Sequence, residues 1–388
     1  MKIMHICLAA FYIDNYTYQE NILPRMHKSL GHEVMILAST ETFIDGVNLG
    51  YLAPSEYSNN DGIPVHRIPY TKFLPQKIVH KLRIYPDVYK ELSEYNPDII
   101  FLHDVQFLSM RQIVRYAKQH PELKIIADGH ADFSNSARTF LSRYLLHGLV
   151  YRYTAKQINK YAKLFYGTLP ARVEFFKNVY HIPANKVEFL PMGVDDDLAE
   201  RMNDRIILLD LRAKHSIKQN DFLIVTGGKI DLAKTQTLLL MQAVNNIDLP
   251  NVKLLIFGSV SDQIRDRFDE NCSKKVKYVG WANENEAYQY FLASDLIIFP
   301  GRHSVYWEQA TGLGKPMVVK YWEGTTHVDL GGNVEFLFQD SEMEITNQIE
   351  KIIKNPDIYN RMRGIAEEKG KSFFSYRNIA RKVLEDCE

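Results

Sequence analysis

Short apolar runs alternate with amphipathic stretches over most of this chain. The runs are "KIMHICLA", "EVMILAS", "DIIFLHD" and "KIIADGH" in the first half, then "FLIVTGG", "VKLLIFGS", "VKYVG", "LIIFPG" and "PMVVKY" in the second. Unbroken apolar runs of this length between helical patterns predict parallel sheets covered by helices on both faces. The series occurs twice. The first set closes near "VEFLPMGVDDD", and the polar stretch 195–221 leads into a new strand at Phe222. The predicted architecture is α/β, with two Rossmann-like domains facing each other across a cleft. Their expected bounds are 1–200 and 201–370, with a terminal helix over 371–388 packing back toward the N-terminal domain. Neither half has a dinucleotide fingerprint: "LAAFYIDNY" after the first strand has no glycine, and "TGGKIDLAK" has only Gly227 and Gly228. That disfavours an NAD-linked dehydrogenase.

Composition narrows the picture further. A chain of 388 residues is long for one core, and its 47 basic residues balance its 47 acidic ones, so net charge does not argue for a nucleic-acid partner. Three distant cysteines fit neither a disulfide framework nor a metal-ligand spacing, which predicts a reducing, cytoplasmic setting. The opening "MKIMHICLAAFYI" looks like a signal segment, but His5 interrupts it and "DNYTYQEN" replaces a cleavage site, so a first buried strand is expected. No apolar run approaches the ~18 residues needed to span a bilayer, which leaves only peripheral membrane contact.

Candidate chemistry clusters in the second half. In "TGGKIDLAKTQTLLLMQA" two glycines close a strand and are followed by Lys229 and Lys234. Backbone amides and two ammonium groups at such a turn can hold a diphosphate; a solvated loop with ordinary surface lysines is the alternative. Gly258 of "LLIFGS" and Gly301 of "FPGRHSVYWEQATGLGKP" are expected at the same sheet edge. The latter stretch also carries Glu308 near a predicted short helix. A lone carboxylate there either complements the helix dipole or meets a ligand.

These motifs, in this order, resemble the donor domain of GT-B-fold retaining glycosyltransferases, specifically glycosyltransferase family four (glycosyl transferases group 1). The resemblance extends over essentially the whole chain. It rests on Gly228, Lys229 and Lys234, on the glycine-ended strands "LLIFGS" and "VKYVGW", and on Glu308, Gln309 and Ala310 before "GLGKP". It implies a donor site of Gly227, Gly228, Lys229, Lys234, Gly258, Gly301, His303, Ser304 and Glu308, in which the lysines grip the diphosphate of a nucleotide sugar and Glu308 grips its ribose. A second family glutamate, eight positions earlier, is Pro300 here. His303 and Ser304 are then the nearest polar substitutes.

His130, at the end of "KIIADGH", matches a family histidine that faces the donor sugar, so His130, Lys229 and Lys234 are the expected catalytic set. A satisfied structural histidine is the alternative for His130. His103 and Asp104 are acceptor-side candidates, with helix capping the alternative for Asp104. Gly193, Val194 and Asp195 match the family's hinge, and no metal or other cofactor is expected. The expected partners are a nucleotide sugar donor and a glycan or lipid-linked acceptor, with no nucleic acid.

The acid-free stretch 133–173 interleaves Arg138, Arg143, Arg152, Lys156, Lys160, Lys163 and Arg172 with Phe140, Tyr144, Tyr151, Tyr153, Tyr161 and Phe165. Lys72, Lys77, Lys81 and Arg83 add to it. A helix of this kind suits an anionic membrane surface, or it is a packed helix with a solvated basic face. The resemblance implies sugar transfer with retention in bacterial surface polysaccharide or glycolipid assembly, at the inner face of the cell membrane. Two rivals remain: a sugar-nucleotide epimerase and a non-catalytic GT-B subunit.

Overall fold

The first strand, β1 (Lys2–Cys7), is the sheet centre that its apolar run predicts, pairing in parallel with β2 (Glu33–Ser39). A computed structural model describes residues 1–44, 48–137 and 139–388 of the protein. After β2 come the small hairpin β3 (Glu41–Phe43) and β4 (Leu49–Tyr51), then β5 (Ser55–Ser58), β6 (Pro64–Ile68), β7 (Ile99–Leu102), β8 (Lys124–Gly129), β9 (Ala162–Gly167) and β10 (Val187–Phe189). The main sheet runs β10-β9-β8-β7-β1-β2-β6-β5, parallel except for β5 against β6. The order reverses at β1, between β7 and β2, so β1 and β7 bound a crevice at their C-terminal ends.

The second sheet is all parallel. Its strands are β11 (Phe222–Gly227), β12 (Val252–Phe257), β13 (Val276–Tyr278), β14 (Leu296–Phe299), β15 (Met317–Lys320) and β16 (Val334–Leu337), in the order β13-β12-β11-β14-β15-β16. Side chains alternate between two cores, as strand geometry requires. Leu223, Val225, Leu255, Phe257, Ile297 and Phe299 enter one, and Ile224, Leu254, Ile256, Leu296 and Ile298 the other. Burial on both faces explains why these strands read as unbroken apolar runs.

The chain divides into two compact units, Met1–Pro191 with Ile379–Glu388, and Met192–Asn378. The break falls just before the hinge motif, nine or ten residues short of position 201. Asp195 caps the helix Asp196–Met202 by accepting from the Leu198 amide, while Asp196 and Asp197 bind Arg377 through its backbone and guanidinium. The three aspartates thus organise a helix start. Only the last ten residues join the first unit, where Lys382 reaches Glu188 and Tyr166 donates to Asp386.

The stretch 133–173 is not the single helix its composition suggests. Leu141–Tyr151 is a π-helix, continued by the α-helix Arg152–Asn159, after which β9 enters the sheet between β8 and β10. Arg138 lies outside the described residues. Strand β9 escapes notice in the sequence because Lys163 sits near its start, where a long side chain can reach water while Phe165 and Tyr166 are buried. Among the described residues, no helix is long and apolar enough to cross a membrane.

Candidate active site

The second sheet reverses order at β11, between β12 and β14, and the loops after β11 and β14 form a pocket at that point. Gly227, Lys229, Lys234, Gly301 and Ser304 line it, as does Arg302, which the sequence reading passed over although it sits beside Gly301. The backbone bends sharply after β11. Gly228 and Gly258 both have positive φ, and a side chain on Gly258 would collide with the Gly228 carbonyl. Gly258 therefore serves by letting two loops close up rather than by lining the pocket.

The two lysines differ in setting. Lys229 is exposed, 3.5 Å from the Asp231 carboxylate, whereas Lys234 is half-buried. Burial lowers the Lys234 pKa, and Lys229 adds like-charge repulsion, while Asp231 opposes both. Asp231 also accepts from the Ala233 amide, which fixes the turn that carries Lys234. A cation without full countercharge at a strand-to-helix turn is well placed to receive an anion.

Glu308 lies in the first turn of the helix Tyr306–Gly312 and is completely buried. Its Oε1 accepts from His303 Nε2 and His327 Nε2, each at 2.9 Å. Burial alone would raise its pKa, but the two imidazoles outweigh that and hold it at about 2. The carboxylate is therefore ionised chiefly through its histidine partners. Its other oxygen, Oε2, is buried and has no hydrogen-bond partner among the described residues. His303 engages Glu308 rather than standing free in the pocket, and Ser304 alone of the two expected substitutes lines it. His327, in a short turn 19 positions beyond Glu308, was missed because nothing in its local sequence marks it. The ligating atoms of His303, Glu308 and His327 lie within 4.8 Å of one another, a donor set that a zinc-like cation could use.

In the first unit His130 follows β8 and is a quarter exposed, with Nε2 3.4 Å from Asp128 Oδ2. Burial lowers its pKa, but the Asp128 carboxylate prevails, and the net shift is upward. The expected acceptor-side pair is placed differently. His103 is fully buried, 3.3 Å from Asp128 Oδ2, because it continues β7 into the core. Asp104 is also buried, has a positive φ, and turns inward to accept from the Val105 amide and the Gln106 side chain. It organises this turn, while Ser109 stands at the N-cap of the next helix. Neither side chain presents an open face to a ligand.

Residues 209–369 match the profile of the family described as glycosyl transferases group 1. No curated protein sequence matches the chain. Solved structures similar over nearly the full length include a glycosyltransferase from Rickettsia africae, at 13% identity and TM-score 0.68, covering 100% of this chain and 97% of that one. Anabaena Alr3699/HepE in complex with UDP-glucose follows at 16% identity and TM-score 0.65, covering 99% and 98%. The UDP-GlcNAc 2-epimerase of Neisseria meningitidis bound to UDP-GlcNAc has 14% identity and TM-score 0.63, covering 100% and 99%. At these identities the structures establish a shared fold. The two units together carry the GT-B fold, and residues 209–369, within the second unit, are similar to the glycosyl transferases group 1 family.

Proposed function

We propose that this protein transfers a sugar from a nucleoside diphosphate sugar to an acceptor hydroxyl with retention of anomeric configuration. The observation that carries the reading is the pocket at the β11/β14 switch point, where Lys229, Lys234 and Arg302 surround loop backbone without an equal number of acids. The lysines would neutralise the diphosphate as the bond from the anomeric carbon to phosphate oxygen breaks. The acceptor oxygen would bond to that carbon on the same face, and its proton would pass to the departing phosphate. Glu308 would take the ribose hydroxyls through Oε2, its other oxygen being occupied by histidines. His130 would orient the donor sugar.

The proposed setting is the cytoplasmic face of a membrane, in surface polysaccharide or glycolipid assembly. Along the helix through 141–159, Leu141, Leu145, Leu149 and Tyr153 are exposed at intervals of four, while His147, Tyr151, Ala155 and Ile158 are buried. Phe140, Tyr144, Arg143 and Lys156 are exposed beside the stripe. An apolar stripe with basic flanks suits a lipid surface better than the solvated basic face weighed as its alternative.

A panel of nucleotide sugars, with oligosaccharide and lipid-linked acceptors, tests the reading. Transfer should survive a chelator and give a product with the donor's anomeric configuration by NMR. An inverted product would overturn the mechanism, and donor conversion without acceptor would favour an epimerase.

A further inference from the structure

Five buried or half-buried side chains from four segments of the first unit form one continuous chain that ends on a backbone carbonyl of a fifth. His27, on the helix Gln19–Ser29, places Nε2 3.3 Å from the Ala380 carbonyl. Its Nδ1 lies 3.0 Å from Nε2 of His5, on β1, and His5 Nδ1 lies 3.0 Å from Nε2 of His103. His103 Nδ1 faces Asp128 Oδ2 at 3.3 Å, and His130 Nε2 faces the same oxygen at 3.4 Å. The last two are ion-pair contacts rather than aligned hydrogen bonds. All three imidazoles of the run are 0 or 1% exposed, and Asp128 is 0% exposed.

Proton counting constrains this arrangement. The run ends at one side on a carbonyl oxygen and at the other on a carboxylate, neither of which donates. Four links therefore separate the two acceptors: carbonyl to His27, His27 to His5, His5 to His103, and His103 to carboxylate. Each of the three hydrogen bonds needs one N–H, and the fourth contact sets a lone pair against an anionic oxygen unless His103 Nδ1 carries one as well. Three neutral imidazoles supply only three, so either one link sets two lone pairs against each other in a dry interior or the run holds one additional proton.

We propose that His5, His27 and His103 are positioning residues that share one excess proton, so that Asp128 stays anionic, half-compensated from behind, and aimed at His130. Contacts with His130 and His103 overcome burial to depress Asp128, which keeps it anionic, while burial pushes His5 and His27 down and so draws the excess charge toward the carboxylate end of the run. One charge is accommodated beside the carboxylate, and a second is resisted. Gln19 donates to Asp128 Oδ2 and the Asp104 amide to Oδ1, each at 3.0 Å, so the carboxylate cannot rotate away. The other titratable groups acting on the assembly are Glu20, Asp104 and Arg172 around His130, His32 beside His27, and Cys7 near Asp128. This deepens the proposed function, because it rests on His130 being the group that meets the donor sugar.

Two variants at His27 separate relay from packing. In His27→Gln the amide can donate to the Ala380 carbonyl and accept from His5, which preserves the count and its one excess proton. In His27→Leu the run loses its carbonyl anchor, both remaining links can be met by neutral imidazoles, and Asp128 depends on His130 alone. Nitrogen-15 NMR of histidine side chains in the full-length protein without substrate should find four N–H groups on His5, His27 and His103 near pH 7. His130 should titrate as in the unchanged protein in His27→Gln, and about one pH unit higher in His27→Leu. Three N–H groups in the unchanged protein, or an equal His130 titration in both variants, would overturn the relay. The N–H count does not depend on either variant folding. None of these readings uses a sugar, so failure of the relay and failure of the transferase reading are separately visible.

Discussion

Lys234 and Glu308 show how a single side chain takes its chemistry from what surrounds it. Lys234 is half-buried with one acid nearby, so a bound diphosphate replaces a countercharge that the protein supplies only in part. Lys234→Ala should weaken nucleoside diphosphate binding by about 2 kcal/mol or more in calorimetry, the scale of a lost charge-assisted contact. Unchanged affinity in a folded variant would remove the residue from the site. The lysines and glycines were legible in the sequence because they lie within eight positions of one another after an apolar run. The histidine partners were not. His5 meets residues 22 and 98 positions away, and the bond between His27 and Ala380 spans 353 positions, so only the folded chain brings them together.

Among elements, legibility followed burial. The strands "FLIVTGG" and "LIIFPG" are covered on both faces and stood out as apolar runs, whereas β9, carrying Lys163, was absorbed into a stretch that looked helical. The exposed helical stripe from Leu141 to Tyr153 yields its own prediction. Sedimentation with anionic vesicles should show binding that weakens as salt rises and falls on charge reversal at Arg152, Lys156 and Lys160. Replacing Leu145 and Leu149 with serine should reduce the part of the binding that salt does not remove, about 2 kcal/mol or more if both insert. Absence of binding at low salt would take the membrane out of the proposal.

At the scale of the whole molecule the two units should respond differently to acid. In the first, burial holds His147, which lies outside the histidine run, at about 4, below its ordinary 6.5. Between these limits the unfolded chain binds a proton that the folded unit refuses, so stability falls as pH drops from 6.5, by up to about 2 kcal/mol at pH 5. In the second unit Glu308 is held at about 2 against an ordinary 4.5, so its contribution is complete above 4.5 and is lost only as pH falls toward 2. All three tryptophans, Trp281, Trp307 and Trp322, lie in the second unit. Tryptophan fluorescence should therefore hold at pH 5 while circular dichroism reports earlier thermal melting of the first unit. Simultaneous loss of both signals on acidification would contradict this assignment.

The division of the chain also sets an order of events during its synthesis. The first unit is made of residues 1–191 and the last ten, with the whole second unit inserted between them. At the ~5–20 residues per second of ribosomal elongation, roughly ten to forty seconds pass before the Ala380 carbonyl exists to meet His27. The nascent first unit must wait through that interval with a buried imidazole lacking its final acceptor. Of the two units, the one whose synthesis starts earlier is thus the one completed later, and a ribosome that stalls anywhere in the second unit leaves it open to chaperones and proteases.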